Sequence, residues 1–276
     1  MSDFSTLAGN ATKMTARGFG WTHAGRTQPA LADIDLVIEP GERVLLCGDS
    51  GSGKSTLLAA MAGVLGSDEE GTRTGEILLE DSTGMVEEPG HSIPVGLVLQ
   101  DPDSQVISAR VGDDIAFGCE NLAYPREEIW RRVAAAKELV GPFVPLDFPT
   151  EQLSGGQKQR LALAGVIAMG AGVVLLDEPT ANLDPAGAHD VVRAVSRLVE
   201  ETGSTLVVVE HQHAAWKGVL DRAVELDRGR IVADTSFAEV AQRRQVFGLP
   251  QARRLGEAGL AQGDAALWST DLVTRY

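Results

Sequence analysis

Residues 48–55 read Gly-Asp-Ser-Gly-Ser-Gly-Lys-Ser, and this stretch decides how the rest of the sequence is interpreted. The apolar run 43–47 before it predicts a short strand, and the run 57–66 (LLAAMAGVLG) after it predicts a helix that a glycine ends. A glycine-rich loop between a strand and a helix is the context in which the pattern G-x-x-x-x-G-K-[ST] binds phosphate. A chance match in a glycine-rich turn is the alternative, and this context makes it rare.

The composition of the loop suits a polyphosphate ligand. Glycines let the backbone N–H groups turn toward phosphate oxygens, and the following helix directs its positive N-terminal end at the same oxygens. Lys54 is expected to reach the β- and γ-phosphates, and the Ser55 hydroxyl is expected to coordinate Mg²⁺. The predicted nucleotide contacts in the loop are Gly48, Asp49, Ser50, Gly51, Ser52, Gly53, Lys54, Ser55 and Thr56.

The stretch 173–178 (VVLLDE) is an apolar strand that ends in two carboxylates. Asp177 is placed to hold Mg²⁺ through water, and Glu178 is placed to polarise the water that attacks the γ-phosphate. A strand that simply ends in solvated acids is the alternative. The presence of Lys54 and Ser55 in the same chain favours the site.

Strands and helices alternate along most of the chain. The continuous apolar runs 173–176 and 206–209 predict parallel strands covered on both faces, with the amphipathic helix 186–202 between them. Residues 31–38 alternate as a half-buried strand does, and 126–140 carry a helical apolar face. Further strands are predicted at 43–47, 75–80 and 93–99. The pattern predicts an α/β fold with a mostly parallel sheet and a helical insertion.

Charge and cysteine content exclude several classes of protein. The net charge of −15 over 276 residues argues against general nucleic-acid binding and against direct adsorption to an anionic membrane. Two cysteines, Cys47 and Cys119, make a disulfide framework implausible and favour a cytoplasmic location. The uncharged run 161–176 is shorter than the roughly 20 residues of a spanning helix. This run predicts the end of a buried helix, a glycine turn and a strand. Residues 1–15 have no apolar stretch that could serve as a signal peptide, so none is expected there.

Residues 153–157 read Leu-Ser-Gly-Gly-Gln, and Lys-Gln-Arg follows at 158–160. With the phosphate loop and the Asp177–Glu178 pair, they make the chain resemble the ATP-binding cassette (ABC) family over residues 13–236. The resemblance implies a P-loop NTPase fold with a RecA-like, mostly parallel core, an antiparallel β region and a helical subdomain at about 101–160. A C-terminal helical extension would occupy 237–276.

The resemblance also implies a dimer that encloses ATP. A hydroxyl and glycine N–H groups at a helix start form a second anion site. In the family this site faces the γ-phosphate bound to the opposite subunit, and it would be formed here by Ser154, Gly155, Gly156 and Gln157. A plain helix cap is the alternative interpretation of these residues.

Other roles follow from the resemblance position by position. Gln100 resembles the Q-loop glutamine that senses Mg²⁺ and the attacking water, and His211 resembles the switch histidine that contacts the γ-phosphate. Residues 181–184 resemble the D-loop at the dimer interface. Trp21 resembles the aromatic residue that stacks on adenine, with Phe19 as the competing candidate. His23 and His213 are assigned to structural or surface roles.

One branch of the family is most similar. The chain looks like the energy-coupling-factor ATPases at five stretches, which are 101–105, 116–118, 120–122, 162–169 and 248–250. This implies uptake of a vitamin or a transition-metal ion, with the chain bound peripherally at the cytoplasmic face of the membrane. The partners would be a second ATPase chain, identical or paralogous, and membrane subunits held in a groove between the Q-loop and the helical subdomain. The substrate stays open.

Non-transport ABC proteins are the alternative. Those of DNA maintenance carry a long coiled-coil insertion, and no sustained heptad pattern occurs in this chain. Those that act on ribosomes carry two cassettes in one chain, and this sequence contains one.

Overall fold

The computed structural model describes residues 7, 11–65, 70–141, 144–211 and 213–247. The strands are β1 (Lys13–His23), β2 (Leu31–Ile38), β3 (Arg43–Gly48), β4 (Gly71–Glu80), β5 (Val86–Glu87), β6 (Val95–Val98), β7 (Val173–Asp177), β8 (Thr205–Val209), β9 (Arg222–Asp227) and β10 (Arg230–Ser236). The helices are α1 (Lys54–Met61), α2 (Val111–Asn121), α3 (Arg126–Leu139), α4 (Gly155–Met169), α5 (Pro185–Thr202) and α6 (Phe237–Phe247). The chain divides into two units after Phe237, and the motif 248–250 lies outside the described residues.

The larger sheet has six strands in the order β10-β9-β3-β8-β7-β6. All of its pairings are parallel except that between β10 and β9. Every residue of β7 and β8 is buried, as their continuous apolar sequences require of strands covered on both faces. The predicted mostly parallel α/β core is therefore confirmed.

The smaller sheet is antiparallel, in the order β2-β1-β4-β5. Its strand β1 carries a register shift between Arg17 and Gly20 in its pairing with β4. Apolar side chains of this sheet pack with those of α1 and of the larger sheet in one core. The antiparallel region implied by the family resemblance is thus present.

Helices α2, α3 and α4 pack on one another and form the predicted helical region. Arg132 fastens α3 to the end of α4, because its guanidinium donates to the carbonyl oxygen of Ala168 at 3.2 Å. The same guanidinium lies 4.4 Å from the ring centroid of Tyr124. Helix α4 begins at the Ser-Gly-Gly motif, and its last residues contact α3.

The uncharged run 161–176 folds as the sequence predicts. Helix α4 ends at Met169, Gly170 adopts φ 74°, and β7 begins at Val173. A glycine suits this turn because it takes the left-handed backbone conformation without a steric penalty. Among the described residues, no helix has both the length and the apolarity to span a bilayer.

Candidate functional site

The phosphate loop and the predicted residues Gln100, Glu178 and His211 follow the carboxyl ends of four strands of the larger sheet. The phosphate loop follows β3, His211 lies just after β8, Glu178 directly follows β7, and Gln100 lies just after β6. Strand β8 lies between β3 and β7, and β6 pairs with β7. Parallel strands present their carboxyl ends at one edge, so residues far apart in sequence are brought to one place.

The phosphate loop depends on its glycines. Gly48 has φ 143° and Gly53 has φ 106°, both in the region that favours glycine. A Cβ atom on Gly48 would lie 2.2 Å from the carbonyl oxygen of Leu226, and one on Gly53 would lie 2.7 Å from that of Ala30. The close approach of neighbouring backbone therefore fixes the shape of the loop, and α1 begins directly at Lys54.

Lys54 lies across this loop and is only 6% exposed. Its ammonium group donates to the carbonyl oxygens of Gly48 at 3.1 Å and Asp49 at 2.9 Å. Nearby, the Ser52 hydroxyl is buried and lacks a hydrogen-bond partner within the described part of the chain. The ammonium group of Lys54 and the unbonded hydroxyl of Ser52 lie together at the start of a helix, and this arrangement suits a phosphate ligand.

Asp177 and Ser55 are joined by a hydrogen bond between their side chains. Burial raises the pKa of Asp177, and so does the charge of Glu178, whereas the Ser55 hydroxyl and Lys54 act in the opposite direction. A divalent cation would favour the ionised carboxylate, and hard oxygen ligands such as these suit Mg²⁺. Over the described ranges no cluster of three or more His, Cys, Asp or Glu residues forms, so a Mg²⁺ held by Ser55, Asp177 and Gln100 would need phosphate or water as further ligands.

Three predicted catalytic side chains meet at Glu178. The Gln100 amide donates to one carboxylate oxygen at 3.0 Å, and the His211 Nε2–H donates to the other at 3.0 Å. The backbone N–H of Glu178 donates to the carbonyl of Val209 at 2.9 Å, and Glu178 itself has φ 47°. Gln100, Glu178 and His211 thus form one polar cluster beside the phosphate loop.

The Ser-Gly-Gly-Gln motif begins helix α4 with Ser154 as its N-cap residue. The Gln157 side chain accepts from the backbone N–H of Ser154 at 2.9 Å, and the Ser154 hydroxyl accepts from the N–H of Gln157 at 3.4 Å. A Cβ atom on Gly155 would meet nothing within 4 Å, which leaves this helix end open. An uncrowded helix N-terminus suits an anion, and the role opposite a second chain stays a prediction.

Both candidates for adenine stacking lie in the hydrophobic core. Trp21 is 4% exposed and Phe19 is 3% exposed. The Trp21 indole N–H donates to Nδ1 of His23 at 3.1 Å, and its ring covers the backbone of Gly71. A base could stack on Trp21 only after its ring moved, so the stacking role stays a prediction. His213 is buried with Nε2 2.9 Å from the carbonyl of Glu210, consistent with the structural role assigned to it.

Substitutions of Trp21 by leucine and by phenylalanine separate stacking from packing. Both keep an apolar side chain in the core, but only phenylalanine keeps a ring that can stack on adenine. If Trp21 stacks, we expect Trp21→Leu to lose about 1–3 kcal/mol of ATP-binding free energy by titration calorimetry, and Trp21→Phe to lose little. Phe19→Leu tests the competing ring in the same way. Equal ATP affinities for the two Trp21 variants would remove the stacking role from this residue.

Two residues that the sequence analysis did not assign to the site also shape it. Gln105 accepts from the backbone N–H of Leu99 at 2.7 Å and donates to the carbonyl of Leu97 at 3.0 Å, which fixes the chain just before Gln100. Glu210 is buried directly before His211. A charged residue that ends an apolar strand was the available signal for Glu210.

Comparison with known proteins gives one family. Residues 31–181 match the family described as ABC transporter. A putative ABC transporter ATP-binding protein of Methanosarcina acetivorans is 38% identical over 237 residues, which are 86% of this chain and 37% of that protein. The energy-coupling factor transporter ATP-binding protein EcfA1 of Caldanaerobacter subterraneus subsp. tengcongensis is 38% identical over 222 residues, covering 80% of this chain and 79% of EcfA1. The chain thus spans well under half of the Methanosarcina relative.

Two solved structures share the fold. CbiO1 from Clostridium perfringens, described as part of the ABC transporter complex CbiONQ, has a TM-score of 0.71 and 31% identity, over 90% of this chain and 99% of CbiO1. The cassette MJ0796 bound to ADP and Pi has a TM-score of 0.66 and 23% identity, over 82% of this chain and 98% of that one.

Proposed function

Because this chain belongs to the ABC transporter family of ATP-binding proteins, we propose that it is the ATP-hydrolysing subunit of a membrane transporter of the energy-coupling-factor type. The convergence of Gln100 and His211 on the carboxylate of Glu178, beside the phosphate loop, carries this proposal. Similarity to EcfA1 and to CbiO1 supports the branch. The transported solute would be a vitamin or a transition-metal ion.

Hydrolysis would divide the work among these side chains. Lys54 and the loop N–H groups would hold the β- and γ-phosphates, and Glu178 would orient a water and accept its proton as the water adds to the γ-phosphorus. The bond from that phosphorus to the bridging oxygen of ADP then breaks. His211 would contact the γ-phosphate and keep the carboxylate in place. Ser55, Asp177 and Gln100 would hold Mg²⁺, which neutralises the charge that develops on the phosphate oxygens.

A second chain would complete each site. The open start of helix α4 offers the Ser154 hydroxyl and the N–H groups of Gly155 and Gly156 to an anion. These groups would contact the γ-phosphate held by the partner chain, so that two ATP molecules lie between two ATPase chains, identical or paralogous. Binding of ATP would therefore favour the dimer, and hydrolysis would weaken it.

The stretch 99–130, from the residue before Gln100 into the first turns of α3, would contact the membrane subunits. It carries exposed apolar side chains, which are uncommon on a protein surface when they are large and close together. Ile107 is 61% exposed, and Leu99, Phe117 and Trp130 are also exposed. In this proposal the helical subdomain at about 101–160 transmits closure of the 13–236 cassette, and the chain is peripheral at the cytoplasmic face.

Co-purification from detergent-solubilised membranes tests this function. We expect the tagged chain to retain integral membrane transporter subunits, and Ile107→Asp to lose them because the substitution places a charge in the apolar contact. Val232→Asp places the same charge at an exposed valine on β10, away from the helical subdomain, and as the control it should retain them. Recovery of ribosomal or chromosomal proteins in place of membrane subunits would contradict the transport role.

A further inference from the structure

Glu210 is a buried acid that the proposed chemistry does not use. It lies immediately after β8 and is 2% exposed. One carboxylate oxygen accepts from the backbone N–H of His211 at 2.8 Å, and the other accepts from the hydroxyl of Thr180. The residue therefore bridges two segments that are separate in sequence.

A carboxylate at this depth needs strong hydrogen bonds to remain there. Removing a charged group from water is strongly unfavourable unless hydrogen-bond donors replace the water. The Thr180 hydroxyl and the His211 N–H, which donate to Glu210, belong to loops of the candidate site. Hydrogen bonds to an ionised acceptor are short and directional, which suits them to fixing the position of a loop.

The two bonded segments are those that carry the catalytic pair. Thr180 lies two residues after Glu178, and His211 directly follows Glu210. On the open side, Nε2 of His211 and the carboxylate of Glu178 are 3.0 Å apart. The loop of Glu178 and the loop of His211 are therefore joined twice. Their side chains meet on the exposed side, and Glu210 joins them on the buried side through Thr180 and the His211 N–H.

We propose that Glu210 is a positioning residue for ATP hydrolysis. Through its hydrogen bonds with Thr180 and the His211 N–H, it holds the loop of Glu178 and the loop of His211 in a fixed position relative to each other. Its carboxylate acts through those two residues, so its loss affects the chemical step more than nucleotide affinity. This inference rests on the proposed ATPase function.

A set of four variants tests the link: Glu210→Gln, Thr180→Val, Thr180→Ser and the double variant Glu210→Gln/Thr180→Val. Glutamine removes the negative charge that strengthens both hydrogen bonds, and valine removes the hydroxyl at nearly constant volume. We expect Glu210→Gln and Thr180→Val each to lower kcat by about 10- to 100-fold. Dissociation constants for ATP, measured by calorimetry, should stay within about twofold of wild type.

Thr180→Ser retains the donor and should keep nearly full kcat, which a role in packing alone does not explain. The double variant should be no slower than the slower single variant, because both substitutions break the same link. Multiplying losses, equal impairment of Thr180→Ser and Thr180→Val, or a parallel fall in ATP affinity would overturn the inference. If Glu210→Gln does not fold, as judged by thermal unfolding, the two Thr180 variants decide the question.

Wild-type turnover separates the two levels of the proposal. An active wild-type chain with equally active variants would overturn the role of Glu210 alone. A wild-type chain without ATP turnover, alone or with its membrane subunits, would overturn the proposed function as well.

Discussion

Glu178→Gln is expected to lower ATP turnover by about 10²- to 10⁴-fold while ATP binding is retained. Glutamine has nearly the same size as glutamate, and its amide oxygen can still accept the hydrogen bond that Gln100 donates. It cannot take a proton from the attacking water. The variant should therefore bind ATP, form the dimer and remain in it.

The measurements are steady-state ATPase activity and, by light scattering, the mass of the protein with and without Mg²⁺-ATP. Glu201→Gln makes the same change of charge at an exposed position on α5 and should turn over as the wild type does. Retained turnover in Glu178→Gln would assign the proton acceptor to another group. Loss of ATP binding together with turnover would mean that the substitution disturbs the phosphate loop.

Lys54→Ala is expected to weaken ATP binding by about 3 kcal/mol or more, because the variant loses charge-assisted hydrogen bonds to phosphate. The side chain also donates to the carbonyl oxygens of Gly48 and Asp49. Its removal should therefore loosen the empty loop as well, so that less of the loop is arranged for the ligand.

Calorimetric titration with ATP measures the loss, and Lys217→Ala, at an exposed lysine, is the matched control. Thermal unfolding without nucleotide shows whether the variant is folded. Wild-type affinity in Lys54→Ala would remove the lysine from the phosphate site. The two substitutions should have different effects, because Lys54→Ala weakens ATP binding whereas Glu178→Gln blocks the hydrolysis step that follows binding.

The parts of the fold that depend on local pattern could be predicted from sequence. Runs such as 173–176 and 206–209 are continuously apolar because both faces of β7 and β8 are covered, and the structure confirms them as strands. Gly48, Gly51 and Gly53 have positive φ angles, a conformation of the loop backbone itself that favours glycine. Such constraints act over a few residues and leave a readable pattern.

What could not be predicted depends on contacts between distant residues. Strands β9 and β10 have mixed polar sequences, and their pairing fixes them. Glu210 accepts a hydrogen bond from Thr180, which is distant from it in sequence. The orientation of Trp21 depends on the position of Gly71, which is also distant in sequence. The roles of the site residues stay predictions, because position alone does not measure affinity or rate.

The backbone conformation of Glu178 lowers the stability of the fold at a residue whose side chain the proposed hydrolysis requires. At φ 47° a side chain with a Cβ atom crowds its own carbonyl, which costs roughly 1–2 kcal/mol, and glycine would escape that cost. Glycine would also delete the carboxylate on which turnover depends. Selection for thermal stability alone would therefore favour glycine at position 178 and yield a more stable protein that does not hydrolyse ATP. Engineering for heat resistance should leave Glu178 unchanged.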